Sequence, residues 1–229
     1  MEGWRRFAVY YAPRAESAIA RFGAAWLGWD AERGEATAGL AVPGLPAPRE
    51  ALVAAPARYG FHATLKAPFR LGERATAAGL DAALAALAGG IAAFAVPVRL
   101  GGLGGAAAIV PLRRSPALDR AASLCVRRLD GFRAALTAEE IARRAPGRLT
   151  PRQRRRLAAW GYPFVLEDFR FHLTLTGALP EAEREATTRA LAAVVGPLLE
   201  APLPVEDLCL FGEGADGRFR LLSRHPLLG

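Results

Sequence analysis

Two short strings in this 229-residue chain hold residues that could do chemistry together: FHATL at 61–65 and FHLTL at 171–175. Each sets a histidine two positions before a threonine, and together they use two of the three histidines in the sequence. Lys66, the only lysine, stands two residues after the first threonine. Imidazoles that titrate near neutrality can take up a proton in one part of a reaction and give one back in another. Threonine hydroxyls can donate hydrogen bonds to the non-bridging oxygens of a phosphoryl group, and a nearby cation offsets the charge that builds there. In-line displacement at phosphorus needs a base on one side and an acid on the other. Two His-x-Thr strings facing one point would supply both, with each group contributing ~10²–10⁴-fold.

To face one point, both strings must lie on strands, whose successive side chains alternate between faces. Over 60–66 this groups Gly60, His62, Thr64 and Lys66 on one face, with Phe61, Ala63 and Leu65 on the other. Over 170–176 it groups Arg170, His172, Thr174 and Thr176 against Phe171, Leu173 and Leu175. His62, His172, Thr64 and Thr174 are therefore the candidate catalytic residues, and Lys66, Arg170 and Thr176 the candidate substrate contacts. A lone strand histidine is more often structural, and threonine is common in strands. The matched spacing in two places tells against that reading. His225, just before Pro226, has no such context and reads as a surface residue. His-x-Thr lacks the carboxylates and sulfurs of metal sites, so neither a metal nor a cofactor is expected.

The surrounding pattern repeats as well. A strand over 5–12, a helix over 14–28 and a Pro/Gly/Ala-rich loop over roughly 40–57 precede the first string. A strand over 60–69, a helix over 73–90 and strands near 93–100 and 106–112 then follow. The stretch 116–160 reads as helical and arginine-rich, broken around Pro146–Gly147. After it come a strand over 168–178, a helix over 181–199 and strands over 204–212 and 218–224. Sliding the sequence by 172 − 62 = 110 positions lays FHATL on FHLTL without a gap. The expectation is one domain over 1–229, with repeat units at about 60–112 and 170–222 and a helical connection between them.

Composition narrows the setting. Hydrophobic residues make up 52% and charged residues 23%, ordinary for a globular chain. No run of about 18 uncharged apolar residues reads as a membrane span, and no secretory signal pattern follows Arg5–Arg6, so a cytoplasmic location is expected. Cys125 and Cys209 read as two free thiols packed as small hydrophobes. The net charge of +8 is compatible with a nucleic-acid partner, but it is nearly all arginine spread along an Ala/Gly/Pro-rich chain, and that partner is not favoured. The densest basic run, 143–157, reads more readily as a solvated helix face than as a phosphate-facing surface.

FHATL and FHLTL resemble the paired His-x-Thr/Ser signature of the two-histidine (2H) phosphoesterase superfamily, which includes RNA 2′,3′-cyclic phosphodiesterases once called RNA ligases. RYGFHATLKAPF at 58–69, LEDFRFHLTLTG at 166–177, FAVYYAP near the start and LFGE with FRLL near the end resemble more narrowly a bacterial branch found with phosphonate-metabolism genes. The resemblance spans nearly the whole chain and has no departure at His62, Thr64, His172 or Thr174. It implies an α+β fold of two pseudo-symmetric lobes of antiparallel sheet flanked by helices, with the active-site cleft between them. It also implies a metal-independent phosphodiesterase acting on a small cyclic phosphodiester. The alternatives are an RNA end-processing enzyme acting on 2′,3′-cyclic phosphates, or a non-catalytic nucleotide-binding module.

Overall fold

Hydroxyl side chains start most of the longer helices. Ser17, Thr76, Ser115, Thr137 and Thr150 each accept a hydrogen bond from a backbone N–H of the first turn. The structure, a computed structural model, describes residues 3–145, 147 and 149–229; Pro146 and Arg148 of the arginine-rich run lie outside the described residues. In chain order the elements are β1 (Phe7–Tyr11), α1 (Ala18–Leu27), β2 (Trp29–Asp30), β3 (Glu35–Ala36), α2 (Arg49–Val53), β4 (Ala63–Phe69), α3 (Ala77–Gly89), β5 (Phe94–Val96), β6 (Val98–Leu103) and β7 (Ala106–Pro111). They continue with α4 (Pro116–Arg128), α5 (Ala138–Arg144), α6 (Pro151–Trp160), β8 (Leu173–Thr174), α7 (Glu181–Val195), β9 (Leu203–Val205), β10 (Asp207–Glu213) and β11 (Phe219–Pro226).

The protein is α+β, and its two lobes are antiparallel sheets with helices packed against them. One sheet has the order β11-β10-β1-β4, the other β6-β7-β8. The first His-x-Thr string therefore ends on an edge strand of one sheet and the second on an edge strand of the other. The repeat is visible as strand, helix, short strand, hairpin: β4-α3-β5-β6-β7 and then β8-α7-β9-β10-β11. Each hairpin, however, joins the sheet that holds the other string, so a sequence repeat is not a lobe. The equivalent short strands β5 and β9 pair antiparallel, Ala95 opposite Pro204. Equivalent strands paired in this way are related by a two-fold rotation. One continuous apolar core takes in Phe61, Ala63 and Leu65 from the first string and Phe171, Leu173 and Leu175 from the second.

Two close approaches fix the first string. A Cβ on Gly23 of α1 would lie 2.1 Å from the Phe61 ring, so only glycine lets that ring seat against the helix. Gly60 has φ +76°, which a residue with a Cβ adopts only under strain, and its own Cβ would lie 2.5 Å from that of Ala31.

Simple strand parity fails just beyond both threonines, for one reason. Tyr10 stands opposite Thr64, but its neighbour Val9 stands opposite Lys66, so Leu65 and Lys66 together oppose one residue of β1. Such a bulge reverses the facing of everything after it. Lys66 accordingly turns away from Thr64 and is buried, its Nζ donating to the Val126 carbonyl at the end of α4 (3.2 Å) and to Asp130 (3.0 Å). In the second string the N–H groups of Leu175 and Thr176 both reach the Ala107 carbonyl, at 2.9 and 3.3 Å. That bulge turns the Thr176 hydroxyl into the sheet, where it accepts from the Ala107 N–H and donates to the Gly177 carbonyl.

A cation at the last turn of a helix is favourable, and a buried one that loses its partner is costly. Lys66→Ala is expected to lower stability by about 2 kcal/mol, less than for a fully buried pair because Asp130 keeps Arg133. Urea unfolding measures it, and an unchanged midpoint would remove Lys66 from the account of the fold.

Candidate active site

Both histidines are held in the same way. His62 Nδ1 lies 2.9 Å from the Gly60 carbonyl, and His172 Nδ1 lies 2.7 Å from the Arg170 carbonyl. A carbonyl can only accept, so Nδ1 carries the proton in each neutral ring and Nε2 is left with its lone pair. In each copy the anchoring carbonyl belongs to the residue two positions before the histidine. Thr64 donates its hydroxyl to His62 Nε2 over 3.2 Å. The His62 ring stacks on Tyr10, centroids 3.7 Å apart and planes 27° off parallel.

Burial dominates the titration of both rings. It pushes His62 down to about 4, opposed by the Gly60 hydrogen bond and assisted by the charge of His172. His172 is also lowered by burial, against its bond to Arg170. At neutral pH both are uncharged, with basic Nε2 atoms.

His62, Thr64, Thr174 and Thr176 border a single open cleft of about 510 Å³. Its wall also carries Arg6, Arg58, Arg143, Arg144, Tyr10, Tyr59 and Tyr162, and no aspartate or glutamate is among its lining residues. Arg6 makes a two-pronged ion pair with Glu213, at 2.6 and 2.7 Å, and Arg58 reaches the same carboxylate at 3.4 Å. Arg144 donates to the Gly161 carbonyl and, at 2.6 Å, to that of Pro68. Its helix is set by a capping box between Thr137 and Glu140, and Arg70 clamps Glu140 with two hydrogen bonds.

The structure thus gathers His62, Thr64 and Thr174 at one cavity; His172, two residues before Thr174, is not among its lining residues. Two of the expected substrate contacts are corrected. Lys66 faces α4 for the reason given above. Arg170 is exposed, and its guanidinium donates to the carbonyls of Glu167 and Phe169 rather than entering the cleft. The strand expected over 168–178 is only Leu173–Thr174, the two residues that pair with β7; a 3₁₀ turn at Leu166–Asp168 precedes the string and the bulge at Leu175 and Thr176 follows it. Thr176 borders the cleft, but its hydroxyl is committed to backbone groups.

The reading of 143–157 as a solvated face holds only in part. Arg152 pairs with Asp168, Arg156 with Glu167, and Arg154 binds the Leu149 carbonyl, while Arg143 and Arg144 line the cleft. Sequence reasoning overlooked Tyr10 and Tyr162, which the fold brings to the cleft wall and which no motif marks. His225 is tied rather than free: its Nε2 lies 2.7 Å from Asp81 and 3.2 Å from Ser223. One nitrogen faces both partners, so this cluster cannot relay a proton as a hydrolase triad does. Cys125 and Cys209 are buried free thiols, each pushed up to about 12 by burial.

Comparison with known proteins gives three findings. A family model described as "Protein of unknown function (DUF1045)" matches residues 64–220. Two curated relatives, each named Ribose 1,5-bisphosphate phosphokinase PhnN, match 94% of the chain: that of Laribacter hongkongensis (strain HLHK9) is 38% identical over 221 residues, and that of Janthinobacterium sp. (strain Marseille) 36% over 228. The match covers 50% and 49% of their lengths, so the chain spans about half of these relatives. Among solved structures, E. coli LigT complexed with 3′-AMP aligns over 98% of this chain and 99% of its own at TM-score 0.44 and 17% identity. LigT in apo form gives 0.44 and 19%, covering both chains fully. Likeness at that level is too loose to assign fold or activity.

Titration of the imidazole signals by NMR is expected to find both rings as Nδ1–H tautomers, with His62 titrating near 4 and His172 below 6.5. Histidines of the unfolded chain titrate near 6.5. The neutral rings therefore stabilise the fold fully above 6.5, and that contribution is lost as pH falls toward 4. Ordinary titration of both rings near 6.5 would contradict the buried, neutral assignment.

Proposed function

The chain belongs to the DUF1045 family, and from its cleft we propose that it hydrolyses phosphodiesters with two histidines serving as base and acid. One observation carries the reading: two His-x-Thr strings each tie their imidazole by Nδ1 to a backbone carbonyl, and His62, Thr64 and Thr174 from the two strings line one arginine-rich cleft. Binding alone does not need both a base and an acid.

In this reading His62, with the stronger depression, stays neutral and acts as base, while His172 carries the proton. His62 Nε2 takes a proton from water as the water oxygen bonds to phosphorus. The bond from phosphorus to the leaving oxygen breaks opposite it, and His172 Nε2–H protonates that oxygen. Thr64 and Thr174 donate to the non-bridging oxygens, for which the Thr64 hydroxyl swings off His62. The product is a phosphomonoester and an alcohol. No metal-bound step is needed in this scheme.

The substrate we favour is a small cyclic phosphodiester on a ribose. The curated relatives' name specifies a kinase, and kinase phosphate loops of the Gly-x₄-Gly-Lys-Ser/Thr kind need a lysine. Lys66 is the sole lysine here, buried against Asp130, so we assign that kinase activity to the half of the relatives that the match does not cover. A diesterase sharing a polypeptide with such a kinase is well placed to make its substrate. Opening a cyclic phosphate across C1 and C2 of the sugar, with release of the C2 oxygen, leaves a phosphate ester at C1. A second reading keeps the chemistry on a terminal 2′,3′-cyclic phosphate of RNA, and the net charge of +8 favours it.

His62→Ala and His172→Ala are each expected to lower kcat by ~10²–10⁴-fold on a ribose cyclic phosphodiester, with little loss of stability. Because the base must be neutral and the acid protonated, kcat/KM should peak below pH 6.5. It should fall above that as His172 loses its proton, and below about 4 as His62 gains one. Full turnover by either variant overturns the assignment. Steep loss of substrate binding with added salt would shift the substrate to RNA.

A further inference from the structure

Beyond His62 and the threonines, the wall of the cleft carries side chains to which the two-histidine scheme gives no role, beginning with Tyr10, whose ring stacks on His62. Arg6, Arg144 and Tyr162 line the same corner, with Arg58 and Arg143 beside them. Tyr10 is fully buried, and among the described residues its hydroxyl has no hydrogen-bond partner. A buried hydroxyl left unpaired costs about 1–3 kcal/mol, so it signals a partner that arrives from outside the chain. Arg144 is half-buried and, among the described residues, touches only backbone carbonyls, so burial lowers its pKa. Arg6 and Arg144 repel each other there; Glu213 is held by Arg6 and Arg58, and Glu140, clamped by Arg70, offsets Arg144 in part. The corner is rich in donors and positive charge, which is what the oxygens of a phosphate dianion require.

We infer that this corner is a subsite for a second phosphate, a phosphomonoester on the same small substrate whose diester lies by His62 and Thr64. The inference rests on the phosphodiesterase reading and names its substrate class: a sugar carrying a cyclic diester and a separate phosphomonoester. Arg144 and Arg6 hold the monoester by charge, and Tyr10 and Tyr162 donate their O–H groups to its oxygens. A small molecule fits better than an RNA strand. The cleft is about 510 Å³, and Arg152, Arg154 and Arg156 of the same basic run are engaged with protein groups. These three arginines are therefore not available to hold further phosphates.

The test combines kinetics and binding. Cytidine 2′,3′-cyclic phosphate with and without a 5′-phosphate is the kinetic pair, and ribose 5-phosphate, which has no diester, is the calorimetric probe. The 5′-phosphorylated substrate should be preferred at least tenfold in kcat/KM. In Arg144→Gln and Tyr10→Phe that ratio should fall several-fold toward one, and ribose 5-phosphate should bind correspondingly more weakly. Tyr10→Phe should also raise the melting temperature of the free protein, since it removes an unpaired buried hydroxyl. Tyr162→Phe, which removes a single oxygen, decides the matter if Arg144→Gln does not fold. Turnover of both diesters without preference, or preference for an RNA oligonucleotide with steep salt dependence, overturns the subsite and leaves the hydrolase standing. Arg144-dependent binding of ribose 5-phosphate without turnover of any diester keeps the subsite and overturns the hydrolase.

Discussion

The hydrogen bond from each imidazole Nδ1 to the carbonyl two residues earlier in its own string decides which nitrogen is left for chemistry. Gly60 provides that carbonyl for His62 and Arg170 provides it for His172. With Nδ1 protonated, Nε2 is the basic atom in both rings, and neither needs a carboxylate to orient it. The local backbone is the orienting group, so its geometry has to be held. Gly60 reaches its position through a positive φ, and Phe61 wedges against Gly23 of α1. In the second copy the Trp26 indole N–H, also from α1, donates to the Leu175 carbonyl at 2.8 Å. One helix thus braces both strings.

Charge balance in the cleft follows from the same burial. Uncharged imidazoles at neutral pH leave the arginines as the source of field, offset in part by Glu213 against Arg6 and Arg58 and by Glu140 near Arg144. An arriving phosphodiester anion would stabilise a proton on one ring, giving the mixed protonation state that acid–base catalysis needs. On the proposed hydrolysis, the free protein would be short of its reactive state until a phosphate enters. The bulges after Thr64 and Thr174 contribute by subtraction. They turn Lys66 and the Thr176 hydroxyl inward, so the positive charge at the cleft comes from arginines on β1's flank and on α5 rather than from the strings.

The apolar half of each string was legible in the sequence, because alternation and burial are the same fact seen twice. The duplication was legible too, since the 110-residue offset carries a helix, a short strand and a hairpin along with each string. Two things were not. Strand parity assumes an unbroken ladder, and a one-residue bulge leaves no mark in FHATLK or FHLTLT, so Lys66 was placed on the wrong face. The exchange of hairpins between lobes is a property of long-range pairing, which a periodic pattern cannot encode. Arg143 and Arg144 could not be separated from Arg152 and Arg156 by sequence. Their difference lies in which has a carboxylate across from it after folding.

The most direct measurement is phosphorus NMR of a ribose cyclic phosphodiester incubated with the protein in ¹⁸O-labelled water. The account predicts a phosphomonoester carrying one ¹⁸O, formed by the intact protein and not by His62→Ala or His172→Ala. An unchanged cyclic diester, or labelled product formed equally well by either variant, would contradict it.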